Sequence, residues 1–282
     1  MRLPLFLALF FTSITNQILA GNDKPVTGAR ALGMGGTSLT LRDVWSTHNN
    51  IGALSGVKEF TGGLVAQNNF NNALFRTAAL GLALPLTNMG TAGLSVRRMG
   101  NNLYSESSVG LGFSQRMGIA SVGLQADYLE TSIRELGTRR NVAINFGGMA
   151  ELTPRILFGG MVYNINQAKM AEFQDERIPT VMRAGLSYLP SKSVLLTSEI
   201  EKDIDYKASV RFGIEYQIIQ NVYLRTGFST RPNNAYGGVG VHHKRFSFDF
   251  SIMSHTKLGL SQALSLNILL SNPSATPKTD NN

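Results

Sequence analysis

Cysteine is absent from all 282 residues. A disulfide framework and a thiolate metal centre are excluded, so stability must come from packing or from a closed sheet. Charge is also scarce: 16% of residues are Asp, Glu, Lys or Arg, against about 25% in an ordinary soluble domain. That balance argues against a disordered chain. Beyond residue 20 no apolar run reaches the roughly 18 residues of a membrane helix. If the mature chain lies in a membrane it must therefore be a β-barrel, because only helices and closed barrels satisfy every backbone group in lipid. Histidine is limited to His48, His242, His243 and His255. His242 and His243 are adjacent, so on a strand they point to opposite faces and make a poor metal pair. Asp249 is expected on the lumen side with His242, but no serine stands out to complete a catalytic triad. Neither metal, cofactor nor catalytic residue is expected, and the chain reads as a non-enzyme.

What is present begins with MRLPLFLALFFTSITNQILA. Arg2, the apolar run and the small Ala20 read as a secretory signal over residues 1–20. The net charge is +8. Export and the scatter of basic residues along the chain argue against nucleic acid as partner, and point to loop and lumen charge facing anionic lipopolysaccharide.

Between 59 and 270 the pattern has period two. In KASVRFGIEYQII, residues 207–219, Ala208, Val210, Phe212, Ile214, Tyr216 and Ile218 alternate with Lys207, Ser209, Arg211, Gly213, Glu215 and Gln217. Such a strand has one apolar and one ionic face. Fourteen segments of this kind follow one another, most of them roughly 9 to 13 residues long, as a tilted strand crossing a bilayer requires. Links after even-numbered strands are tight: Met117-Gly118, Thr153-Pro154, Pro190-Ser191-Lys192 and Gln220-Asn221. Links after odd-numbered strands are longer: 100–107, 132–139, 167–179 and 231–235. Short turns on one rim and long loops on the other are the barrel pattern, with both chain ends on the short-turn rim.

The tight turns set registers. A two-residue turn at Thr153-Pro154 places Phe146 against Met161 and Ile144 against Tyr163 on the apolar face, and Gly147 against Gly160 and Gly148 against Gly159. A turn at 219–221 places Glu215 opposite Arg225 and Phe212 opposite Phe228. Tyr188 opposite Val194 places Arg183 against Glu199. These four charged residues are expected as lumen ion pairs. Aromatic residues, among them Phe70, Tyr128, Tyr163, Tyr188, Tyr216, Phe246 and Phe248, are expected as interfacial girdles on the apolar face. A large soluble sandwich shares the alternation, but long strands, strongly apolar ladders and the need to remove edges favour closure in lipid.

Residues 21–58 break the pattern. They contain GARALGMGGTSLTLRDVWSTHNNIGAL, residues 28–54. Its glycines are not a dinucleotide fingerprint, since no strand–helix–strand unit surrounds them. The stretch resembles the N-terminal signature of the PorV/PorQ-like branch of the FadL outer-membrane superfamily, "GAR-x-LGMGG" followed by an acidic position and an "NPAGL"-type turn. Gly28, Arg30, Gly33, Gly35 and Gly36 match the first part, Asp43 the acid, and Asn49 and Asn50 the turn, which here lacks proline. The resemblance implies a transmembrane antiparallel barrel of about fourteen strands, all-β, here the span 59–270, with 21–58 as a small hatch; the polar, proline-containing stretch 271–282 reads as a disordered tail. It also implies a place in the cell outer membrane and a role of PorV/PorQ type, assisting type IX-like secretion or surface handling of exported proteins. The alternative it implies is a FadL-like passive channel for small hydrophobic molecules.

Two further features bear on those roles. Gly147, Gly148, Gly159 and Gly160 gather at one spot, which reads as a wall bend or a lateral opening. The loop 167–179 carries Met170 and Phe173, which read as an outer-mouth contact for an apolar ligand or a partner protein.

Overall fold

Alternation of apolar and polar side chains makes each strand two-faced, and closure lets every backbone group pair. The computed structural model describes residues 25–169, 178–204 and 206–270. Fourteen strands form a closed antiparallel barrel in which each pairs with its sequence neighbours and β1 closes on β14. They are β1 Thr61–Asn68, β2 Arg76–Leu86, β3 Gly90–Gly100, β4 Tyr104–Met117, β5 Ala120–Ile133, β6 Gly137–Thr153 and β7 Ile156–Tyr163. The second half is β8 Val181–Ser191, β9 Val194–Asp203, β10 Ser209–Ile219, β11 Val222–Thr230, β12 Asn233–His243, β13 Phe246–His255 and β14 Gly259–Leu269. The signal-like residues 1–20, the tail 271–282, and Met170 and Phe173 lie outside the described residues.

The outer face is apolar. Phe212, Ile214, Tyr216 and Ile218 point out from β10, as do Leu64, Leu111, Leu124, Leu186, Phe248 and Leu264 around the ring. Between them Ser95, Asp127, Asn145, Glu215, Asp249 and Ser265 point in and are buried. Water-facing leucines at this density would be costly at about 25 cal/mol per Å². Lipid removes that cost, so the wall is a transmembrane one.

Strand pairing departs from the expected registers at two places. Phe146 faces Val162, Gly147 faces Met161, and Gly148 faces Gly160. An irregularity between Glu151 and Thr153 shifts β7 by one residue, and a one-residue slip swaps a strand's faces. Met161 and Tyr163 are therefore inside and buried, not in the lipid girdle. Phe70 also leaves the girdle: it sits in the 69–75 link above the wall. In β8–β9, Arg183 faces Glu201, and Glu199 faces Gly185, two positions from the expected register, because the turn closes at Ser191 and Val194 and an irregularity follows between Tyr188 and Ser191. By contrast Glu215 faces Arg225 and Phe212 faces Phe228 in β10–β11.

The links 100–107 and 132–139 are shorter than expected, since β3 runs to Gly100 and β4 starts at Tyr104, while β5 runs to Ile133 and β6 starts at Gly137. These hairpin ends rise above the apolar band, where both faces are polar and the period-two signal fades. The longer links, 69–75 and 164–180, share one rim; on the other, the strands are joined by two- or three-residue turns such as 118–119 and 220–221.

Candidate functional site

Residues 25–60 fill the middle of the barrel. Ala29–Gly33 forms α1, Ser46–Asn49 forms α2, and Ile51–Gly56 continues as a 3-10 turn. None of these is long enough to be stable alone; the wall supplies the packing. Trp45, Met34, Leu39, Val44 and Leu54 are almost completely buried. The segment crosses the lumen lengthwise. Pro25 shares a chamber with Arg231 and Pro232 on the long-loop rim, and Lys58 and Glu59 share one with Lys244 and Arg245 on the short-turn rim. The first described residue therefore sits at the long-loop end, opposite to the expectation that both ends share the short-turn rim. The reversal arises because the segment threads the lumen before β1 begins.

Every residue of the GAR…GG…D…NN pattern meets the wall or braces the hatch. Arg30 donates two hydrogen bonds to Glu215, at 2.9 and 2.6 Å, and lies 3.4 Å from Asp43. Arg225 donates to Glu215 at 2.6 Å and approaches Asp249 at 2.8 Å. Asp43 also accepts from the Trp45 backbone N–H at 3.0 Å. Burial pushes the Asp43 carboxyl up, against the pull of Arg30. Gly35 has φ +73° and lies against the backbone of Phe212 and Phe228, where a side chain has no room. Gly28 lies under the Trp45 ring and Gly33 against Gly238. The Gly36 carbonyl accepts from Arg211 at 3.3 Å. Asn49 exchanges two bonds with the Thr27 backbone, at 2.9 and 2.8 Å. Asn50 donates to the carbonyls of Leu39 and Gly148, at 2.6 and 3.1 Å, and accepts from the Gly52 N–H at 3.1 Å.

Glu199 accepts from the N–H groups of Ser38 and Leu39 at 2.5 and 2.7 Å. It is thus an anchor for the hatch, whereas Arg183 and Arg211 both pair with Glu201. The four glycines between β6 and β7 divide by face. Gly147 meets Asn50 and Gly52, and Gly159 meets Leu39, so both admit the hatch backbone. Gly148 and Gly160 face outward opposite each other. Pairing runs unbroken through all four, so in place of an opening the spot is a seat. His242 lies 3.9 Å from Asp249 and stacks on Tyr223.

Sequence reasoning missed Trp45 as the centre of the hatch core, packed with Ala29, Val44, Ile51, Leu54, Val65 and Ala79. It also missed the inward glycines Gly63, Gly81, Gly93, Gly112 and Gly123, each against a hatch residue. The available signal was the spacing of those glycines at alternate, lumen-facing positions of β1–β5.

Above the hatch, a chamber of about 570 Å³ opens at the long-loop rim, lined among others by Val26, Leu32, Phe70, Phe75, Met99 and Tyr104. Below it, a chamber of about 350 Å³ is lined by Arg42, Lys58, Lys244 and Arg245 with Asp43 and Glu59.

No protein-family model matches the chain, and no curated protein matches it. Solved structures do. The P. putida toluene transporter TodX matches with a TM-score of 0.67 at 13% identity, over 89% of this chain and 100% of that one. A Pseudomonas aeruginosa FadL homologue matches with a TM-score of 0.60 at 12% identity, over 86% and 98%. At that identity the likeness establishes the architecture alone: the closed fourteen-strand barrel has the fold of these two proteins.

Proposed function

We propose that the protein is a non-enzymatic outer-membrane channel for small hydrophobic molecules. The observation that carries this reading is the 570 Å³ chamber above the hatch, whose lining is mostly apolar and aromatic with Arg97, Glu106 and Arg211 among it, a size and character suited to a small, largely apolar ligand. The likeness to a toluene transporter and a FadL homologue supports it. The hatch closes the path at rest. Passage requires it to loosen on the β9–β13 side, where water can replace ion pairs, while its apolar side stays docked. A PorV/PorQ-type role in secretion rests on the motif resemblance and on Met170 and Phe173, and no contact among the described residues favours it.

Uptake of radiolabelled toluene by cells with a lipopolysaccharide-faced outer membrane, with and without the protein, tests the channel. Leu32→Asp combined with Met253→Asp places two charges in the chamber and is expected to lower uptake at least about tenfold, the scale of disrupting an apolar pocket. Uptake that survives this change, with the barrel intact by its heat-shifted gel mobility, sinks the reading.

A further inference from the structure

The lipid-facing wall is not uniform. One rung of side chains runs across five strands on the outer face: Phe250 on β13, Leu264 on β14, Ala66 on β1, Ala78 on β2 and Arg98 on β3. Each pairs with the next in register. The rung below it, toward the short-turn rim, is wholly apolar and bulky: Phe248, Leu266, Leu64, Leu80 and Val96. The rung above turns polar, with Gln262, Asn68 and Arg76 after Ile252. Two alanines in the middle of a row of large side chains leave a trough, and the structure has a groove of about 680 Å³ there.

Position and charge say what the trough suits. It lies near the long-loop ends of its strands, where the wall changes from apolar to polar, the level of the lipid headgroups. Its lining holds two arginines and no carboxylate. Arg76 and Arg98 have no ion-pair partner among the described residues. The nearest acid along the rung on the outer face, Glu130, faces Ser107 and is already held by Arg140 at 3.0 Å. A guanidinium pair above an apolar slot matches a phosphate above an acyl chain, since arginine recognises phosphate through paired N–H donors.

We propose that this groove between β13 and β3 seats one molecule of lipopolysaccharide, with an acyl chain over Ala66 and Ala78 and a lipid A phosphate between Arg76 and Arg98. The arrangement is a specific site and differs from general rim charge in that the cations stand over a cavity shaped by the two alanines. It rests only on the lipid-facing wall and is independent of what the lumen carries.

Native mass spectrometry of the full chain, refolded with purified lipid A in phosphatidylcholine vesicles and released into mild detergent, reads the occupancy. The wild type is expected to retain one lipid A. Arg76→Gln with Arg98→Gln removes the phosphate ligands, and Ala78→Leu fills the slot; each is expected to lower retention tenfold or more. Arg140→Gln, on the same rim outside the groove, is expected to leave it unchanged. Retention at the wild-type level in either groove variant overturns the site. So does an equal loss with Arg140→Gln, which would mean diffuse surface charge, or full retention of dephosphorylated lipid A, which would remove the phosphate from the account. Ala66→Leu serves in place of Ala78→Leu if the latter does not refold.

Discussion

The hatch is held by two unlike sectors of the same wall. Toward β9–β13 charge is added to the backbone contacts of Gly33 and Gly35: Arg30, Glu215, Arg225 and Asp249 in one network, and Glu199 on two hatch N–H groups. Toward β14 and β1–β6 it is held by contact: Trp45, Val44, Ile51 and Leu54 pack on Val65, Ala79, Ala83 and Ala263, and inward glycines let the backbones meet. The two differ in how they respond to water. An ion pair loses little when water replaces each partner, because desolvation had already cost most of what the pair contributes. Apolar packing has no substitute in water and leaves a void. One side of the plug is thus exchangeable and the other is not, which makes the lumen a hinged closure instead of a uniform cork.

That contrast can be broken from either side. Trp45→Ala removes the largest buried side chain of the dry sector and is expected to cost hatch docking about 3–5 kcal/mol. Arg225→Leu leaves Asp249 without its guanidinium and Glu215 with Arg30 alone. The cost of uncovering a buried charge is of similar size, about 3–5 kcal/mol, but here removing the stranded acid as well, in Arg225→Leu with Asp249→Leu, is expected to recover most of it. Protease sensitivity of the hatch in the refolded barrel separates them, since no second truncation refills the void of Trp45→Ala. Failure of the double variant to recover docking would dissolve the distinction between sectors. A finer test uses adjacent glycines on opposite faces. Gly147→Ala drives a methyl into Asn50 and is expected to cost about 1–3 kcal/mol of hatch docking, seen as faster proteolysis of the hatch. Gly148→Ala faces lipid with only ordinary contact and is expected to change docking by less than about 0.5 kcal/mol. The smallest effect is expected at the rim, where Arg140→Ala removes an exposed partner of Glu130 and should leave the unfolding midpoint in urea unchanged.

How much of this was legible from residues alone varied with how local the cause is. The β10 strand was readable because its alternation lies in thirteen consecutive residues, and Glu215 opposite Arg225 followed from a nearby turn. The neighbouring inferences failed where an irregularity intruded. The slip at Glu151/Thr153 turned Met161 and Tyr163 inward, and the one at Tyr188/Ser191 moved Arg183 from Glu199 to Glu201. A bulge adds a residue without altering the apolar alternation on either side, so the composition does not announce it. The hatch motif was visible as a break in the pattern, yet its partners were not: Arg30 meets Glu215 across 185 positions of chain.

By itself, then, the sequence determined the elements: two-faced strands of bilayer length, an apolar exterior, an interrupting glycine-rich segment and, beyond residue 20, no apolar run long enough for a membrane helix. Each follows from side-chain alternation and local backbone freedom, which act over a few residues. The tertiary structure alone decided that the segment threads the lumen from the long-loop rim, that Gly147 and Gly159 are a seat, and that two alanines open a trough in the lipid-facing wall. Those outcomes depend on contacts between residues far apart in the chain, and they exist only once the barrel has brought its strands into register.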